Sequence, residues 1–223
     1  MAETCSWGSI PSSGNGEMSD FLRLQSGNSY KIRPVFDPVS FFKFFHKSGG
    51  KLRTAIIDKN EIAMFCDKHP EVKKPSLRYA AYVIDRADDK VKILEAPQTV
   101  FRPIGSSLEM TGKDPGSGND GSDWYIKVSG TGLTTKYDVG MIGPSPLTKE
   151  ERTLIKEALK GDDGEFDKQK LHKLYNVDTL AEIENKLFGE SDSGQPSRSQ
   201  TAVSSPVEAP AGAAGGEDFD QEW

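Results

Sequence analysis

Residues 40–47 read S-F-F-K-F-F-H-K, four phenylalanines and two lysines in eight positions. A strand sends alternate side chains to opposite faces. As a strand, this stretch places Phe41, Lys43, Phe45 and Lys47 on one face and Phe42, Phe44 and His46 on the other. A half-buried strand needs only one apolar face, and the second face here mixes flat rings with cations. Unpaired bases stack on rings and phosphates pair with lysines, so the pattern suits a single nucleic-acid strand. The competing reading is a core strand whose lysine stems run out to solvent. The surrounding chain has to decide between them.

Upstream, residues 30–33 (YKIR) alternate and read as a first strand, stopped by Pro34. Asp37-Pro38 reads as a turn, with 40–47 as the second strand. Ser48-Gly49-Gly50 closes a hairpin into a third strand at 52–58 (LRTAIID), with Lys51 and Arg53 beside the turn. Residues 61–66 read as one helical turn. Residues 77–86 (LRYAAYVIDR) and 90–95 (KVKILE) form the next hairpin around Ala87-Asp88-Asp89. Residues 97–110 carry Val100, Phe101, Ile104 and Leu108 at helical spacing, despite Pro103. After a Gly-rich loop, 123–129 (DWYIKVS) and 134–142 (TTKYDVGMI) supply a last pair of strands. Six or seven strands with one crossover helix predict a mainly β fold, a small Greek-key barrel of the OB type with helical additions.

Those additions begin at Thr148, which with Glu151 makes a capping box ahead of an apolar stripe at Leu154, Ile155, Ala158 and Leu159. Residues 166–175 and 178–188 read as two further short amphipathic helices. The organisation is therefore a mobile arm at 1–20 with Trp7 as a local anchor, a core at 21–145, a helical segment at 146–188 and a disordered tail at 189–223.

The net charge of −6 conceals an asymmetry. The core has 19 basic against 14 acidic residues, while 146–223 has 9 against 17 and residues 1–20 have no Lys or Arg. A basic middle and an acidic end suggest a nucleic-acid contact with an anionic appendage. Several strands repeat the pairing of a ring with a cation: Phe45 with Lys43, Tyr79 with Arg78, Tyr125 with Lys127, Tyr137 with Lys136. The candidate DNA-binding set is Phe41, Lys43, Phe45, Lys47, Lys51, Arg53, Arg78, Tyr79, Tyr82, Arg102, Tyr125, Lys127, Lys136 and Tyr137. The chain ends E-D-F-D-Q-E-W, and Glu217, Asp218, Phe219, Asp220, Glu222 and Trp223 form a candidate partner-binding tip.

No nucleophile elbow, P-loop, HExxH or paired-carboxylate motif occurs, so the expectation is a protein that is not an enzyme. Cys66-x-x-His69 has half of a zinc-site spacing, and neither Cys5, His46 nor His172 completes the four ligands of a structural site. No cofactor is expected. Two cysteines give no disulfide framework. No apolar run is long enough to span a bilayer, and the first ten residues lack a signal peptide's basic and apolar regions.

Two segments resemble a known family. RYAAYVIDRADDKVKILEAPQTVFRPI, at 78–104, and DWYIKVSGTGLTTKYDV, at 123–139, are similar to the replication single-stranded DNA-binding (helix-destabilising) proteins of tailed bacteriophages. The resemblance implies an OB fold, non-specific binding of single-stranded DNA and work in replication, recombination and repair in the host cytoplasm. It also implies an acidic tail that recruits replication and recombination proteins, such as a polymerase, a helicase or its loader, or a recombinase. Some members hold zinc with a Cys/His cluster, of which only Cys66 and His69 remain here. Some self-associate through a basic N-terminal arm, which residues 1–20 do not supply. Two alternatives are an RNA-binding module of similar fold and an adaptor whose aromatic strands form a protein interface.

Overall fold

The computed structural model describes residues 21–161, 164–167 and 169–189. The strands are β1 (Ser29–Ser48), β2 (Lys51–Ile57), β3 (Ser76–Asp85), β4 (Lys90–Pro97), β5 (Ser122–Ser129) and β6 (Lys136–Pro144). The helices are α1 (Ile62–Lys68), α2 (Gln98–Thr111), α3 (Lys149–Ala158), α4 (Lys170–Leu174) and α5 (Leu180–Phe188). All strand pairs are antiparallel, in the order β4-β3-β1-β5-β6, with β2 paired to β1 alone. With α2 lying between β4 and β5 in the chain, this is the strand order of a partly open five-stranded Greek-key barrel of the OB type. β2 is an addition to it, hairpinned onto an extended end of β1.

The expected break between a first and a second strand does not exist. Pro34 and Asp37-Pro38 lie inside a single 20-residue strand. Pro34 stays in register opposite Val83, and Asp37-Pro38 is absorbed in a bulge: the register with β3 shifts between Val35 and Val39, and Phe36 adopts φ 59°. Proline is tolerated where a bulge interrupts the ladder. The bend lets one strand serve two sheet edges. Residues 29–32 pair with β5, and residues 42–48 pair with β2.

Alternation then divides the apolar residues between two sides. Inside the barrel, Ile32, Ala81, Val83, Leu94, Trp124, Ile126 and Val128 pack against Val100, Phe101 and Ile104 of α2. This helix packs against both β4 and β6 and so fills the seam between the outer strands. Pro103 sits within it, as expected, and Gly112 ends it in the left-handed region, with its N–H donated to Leu108 O. On the outward side, Val35, Val39, Phe41, Ala80, Tyr82, Ile84 and Ile93 are covered by Leu147, Ile155, Leu159 and Leu171. The segment around α3 and α4 therefore caps the middle of the sheet's outer face. A third cluster joins Phe44, Ala55 and Ile57 of the β1–β2 hairpin to Phe65 of α1 and to Ile183 and Leu187 of α5.

Polar pins hold this cap. The Thr148–Glu151 capping box forms at the start of α3. Glu151 also pairs with Arg86, whose Nη2 lies 3.0 Å from Asp123 Oδ1 and donates to Ser145 Oγ at 2.9 Å. Burial opposes the Arg86 charge, but the hydrogen bonds to Glu151 and Asp123 outweigh it and hold the guanidinium above its usual pKa. Arg33 is fully buried and donates to four carbonyls: Ser145 at 2.7 Å, Pro115 at 2.9 Å, Pro34 and Ser117. Burial lowers its pKa to about 10, so it remains a cation at neutral pH. One charge thereby ties the loop before β5 to the connector before α3.

Candidate nucleic-acid interface

The alternation of residues 40–47 holds. Phe42, Phe44 and His46 face α1 and α5, with Phe44 buried against Phe65 at 5.1 Å between ring centroids. The other face divides along its length. Phe41 is buried, stacked on Tyr175 at 4.3 Å, because the α4 end of the cap covers it. Phe45, four residues on, lies past the cap and is half-buried. Lys43 Nζ is 5.8 Å and Arg78 Cζ 5.7 Å from the centre of its ring. Both cations also approach Glu95, at 2.9 Å for Lys43 Nζ and 3.6 Å for Arg78 Nε.

Arg78 makes no hydrogen bond among the described residues, and its buried Nε has no partner within hydrogen-bond distance. A guanidinium holds five donors in a fixed fork suited to phosphate. Arg78 thus offers a loaded fork at the edge of a partly exposed ring. Lys47 and Lys51 are exposed at the hairpin end and meet no carboxylate among the described residues. Arg53 is used otherwise: it donates to Lys186 O at 3.5 Å and to Gly189 O, closing the end of α5.

A second patch lies on the same sheet face beyond the cap. The register sets Lys31 beside Tyr125, Ser29 beside Lys127 and Ser129 beside Lys136. Lys31, Tyr125, Lys127 and Lys136 are all exposed. The hydroxyl end of the Tyr125 ring lies against Gly140, where an added Cβ would fall 2.5 Å from Cε1, and its hydroxyl is 3.4 Å from Asp138 Oδ1. The ring is thus against the backbone of β6 on one side, while the residue as a whole is exposed. Lys31 is missing from the set drawn from the sequence, although alternation in the first strand places it outward. Its Nζ is 3.3 Å from Asp123.

The remaining candidates are elsewhere. Tyr82 is 3 % exposed beneath the cap, and burial, aided by Asp167, pushes its hydroxyl up to about 12. Neither Phe41 nor Tyr82 can stack on a base while α4 is in place. Tyr79 and Tyr137 are half-buried against the barrel interior, Tyr79 with its ring 5.7 Å from Phe101. Arg102 is exposed on α2, away from both patches in the chain. The tip residues Glu217, Asp218, Phe219, Asp220, Glu222 and Trp223, the arm at 1–20 and Cys5 lie outside the described residues.

His69 is engaged by other partners than Cys66. His69 Nε2 is 3.1 Å from Glu184 Oε1 and Nδ1 3.4 Å from Glu71, and its ring sits between Phe65 and Phe188 at 4.7 and 4.9 Å. The imidazole helps dock α5 on α1. Among the described residues no group of three His, Cys, Asp or Glu is placed to hold a metal ion. No described helix is long and apolar enough to cross a membrane.

These elements define a class: an OB-type β-barrel with cations set around partly exposed rings. No family model matches the chain. The chain is 29% identical over 179 residues to the probable ssDNA-binding protein of Escherichia phage T5, a match covering 72% of this chain and 63% of that protein. The match thus spans a little under two thirds of the relative's length. It supports the resemblance to the phage single-stranded DNA-binding proteins.

Proposed function

We propose that this chain binds single-stranded DNA without a sequence requirement and without a chemical step. The observation that carries the reading is Phe45 on the β1–β2 hairpin, flanked by Lys43 and by Arg78, whose side chain pairs with Glu95 but makes no hydrogen bond among the described residues, with Lys47 exposed on the same strand face and Lys51 exposed at the hairpin end. A base stacks on the ring, Arg78 takes the adjoining phosphate, and the lysines follow the backbone. Tyr125, with Lys31, Lys127 and Lys136, offers a second stacking point of the same kind. The phage T5 relative, a probable ssDNA-binding protein, supports the same reading. Because bases must be unpaired to stack, the protein favours melted over duplex DNA by mass action.

In this reading the protein coats single strands in the cytoplasm of an infected bacterium during replication, recombination and repair. Its acidic tip, with Phe219 and Trp223, recruits the replication proteins. The test is a fluorescence titration with a dT oligomer at several salt concentrations, beside a duplex of equal length. We expect saturable binding that prefers the single strand, with log K falling by about 0.7 per phosphate neutralised for each decade of salt. No binding at low salt, or equal affinity for duplex, refutes the reading.

A further inference from the structure

We propose that the cleft beside Phe45 captures one unstacked base of the bound strand and favours guanine, so that binding carries a base bias. The inference rests on the function proposed above. The cleft has a volume of about 240 Å³ and lies between the β1–β2 hairpin, β4 and the α4–α5 connector. It is smaller than the roughly 300–1,000 Å³ of drug-sized pockets, a scale that suits a single heterocycle. Phe21 and Leu174, both exposed, supply apolar surface to its lining, and Lys43, Glu95 and Tyr175 supply polar groups. Phe21 is fixed there because its segment runs along β4, bridging to Ile93, with the Leu22 N–H donated to Ile93 O at 2.9 Å.

Lys43 joins the cleft to the proposed strand path. It lies over the Phe45 ring and also lines the cleft, where both oxygens of Glu95 accept from its Nζ, at 3.0 and 2.9 Å. A base next to one stacked on Phe45 can therefore turn into the cleft without leaving the cations. The Tyr175 hydroxyl also donates to Glu95 Oε2, at 3.4 Å, while Arg78 Nε stands 3.6 Å from Oε1, and Tyr175 is itself locked by its stack on Phe41. Burial, then Glu95, pushes the Tyr175 hydroxyl far above its usual pKa, so it stays a donor at any working pH.

A carboxylate beside an ammonium is complementary to one base edge above the others. Unpaired guanine presents N1–H and N2–H side by side, which a carboxylate accepts together, with the O6 acceptor next to them for the ammonium. Guanine thus takes over the interaction that Lys43 and Glu95 make with each other. Cytosine and adenine each offer one amino group at that edge. Thymine offers only N3–H between two carbonyl oxygens, which the carboxylate repels.

The experiment is a competition titration of the full chain with dT oligomers in which one central thymine is replaced by dG, dI, dC or dA. The single-dG oligomer should bind about tenfold more tightly than all-dT, the low end of bidentate base readout. Inosine, which lacks the N2 amino group, should lose most of that gain, and this arm leaves the protein unaltered. Glu95→Gln should bring the dG to dT affinity ratio close to one. Equal affinity for all the oligomers, or a dG preference that survives inosine, overturns the proposal. Failure of the wild-type chain to bind any oligomer at low salt refutes instead the function on which the proposal rests, and the cleft's role with it.

Discussion

Phe41 and Phe45 lie on one face of one strand, and truncating them should fail in different ways. Phe41 is 6 % exposed and stacked on Tyr175, in the cluster that holds the helical cap to the sheet. Phe41→Ala removes a buried ring and leaves a cavity, at a cost of about 3–5 kcal/mol of folding stability. Phe45 is half-buried, with cations as its near neighbours. Phe45→Ala should cost less in stability and forfeit base stacking, about 1–3 kcal/mol, or roughly 5- to 150-fold in affinity. The ring carries no charge, so the salt slope of binding should not change. Lys47→Ala, in contrast, should lower the slope by about 0.7 by removing one phosphate contact. Urea unfolding gives the stabilities, and titration of a labelled dT oligomer at four salt concentrations gives affinity and slope. Wild-type affinity in Phe45→Ala refutes base stacking on this ring. So does an equal loss of affinity in Phe41→Ala, measured while still folded.

Other perturbations test other parts of the structure. At Gly121 an added Cβ would fall 2.0 Å from the Arg33 guanidinium, so Gly121→Ala should destabilise the fold by at least about 1–3 kcal/mol on thermal or urea unfolding. The Glu184 carboxyl is held below its ordinary 4.5 by hydrogen bonds from Lys68 and His69. Its contribution is therefore complete above pH 4.5 and is lost as pH falls through the lower folded value. Docking of α5 should weaken on that acid side only, with Phe188 resonances reporting the change and Glu184→Gln removing the effect. Deleting residues 215–223 should strengthen DNA binding at low salt and abolish capture of replication proteins, because an anionic tip competes with phosphate. Unchanged behaviour in both assays would leave the tip only a solubilising role.

The patterns legible in the sequence were those set by near neighbours. The sides taken by Phe41 to Lys47 follow from the two-residue period of a strand, and the start of α3 follows from Thr148 and Glu151. The basic middle of the chain was legible by counting. Non-local contacts decided the rest. Pro34 and Asp37-Pro38 look like stops, but β3 pairs with β1 on both sides of them and turns the irregularity into a bulge. Arg53 and Arg78 look alike as cations on strands. One is spent on the carbonyls that end α5, and the other pairs with Glu95 through Nε and makes no hydrogen bond among the described residues. The local chain determines which way a side chain points, because backbone geometry repeats every two residues in a strand. Whether it meets solvent, a base or another element depends on segments far away in the chain. The cap that buries Phe41 and Tyr82 comes from residues 147–175, and only the folded sheet places it over Phe41 and short of Phe45.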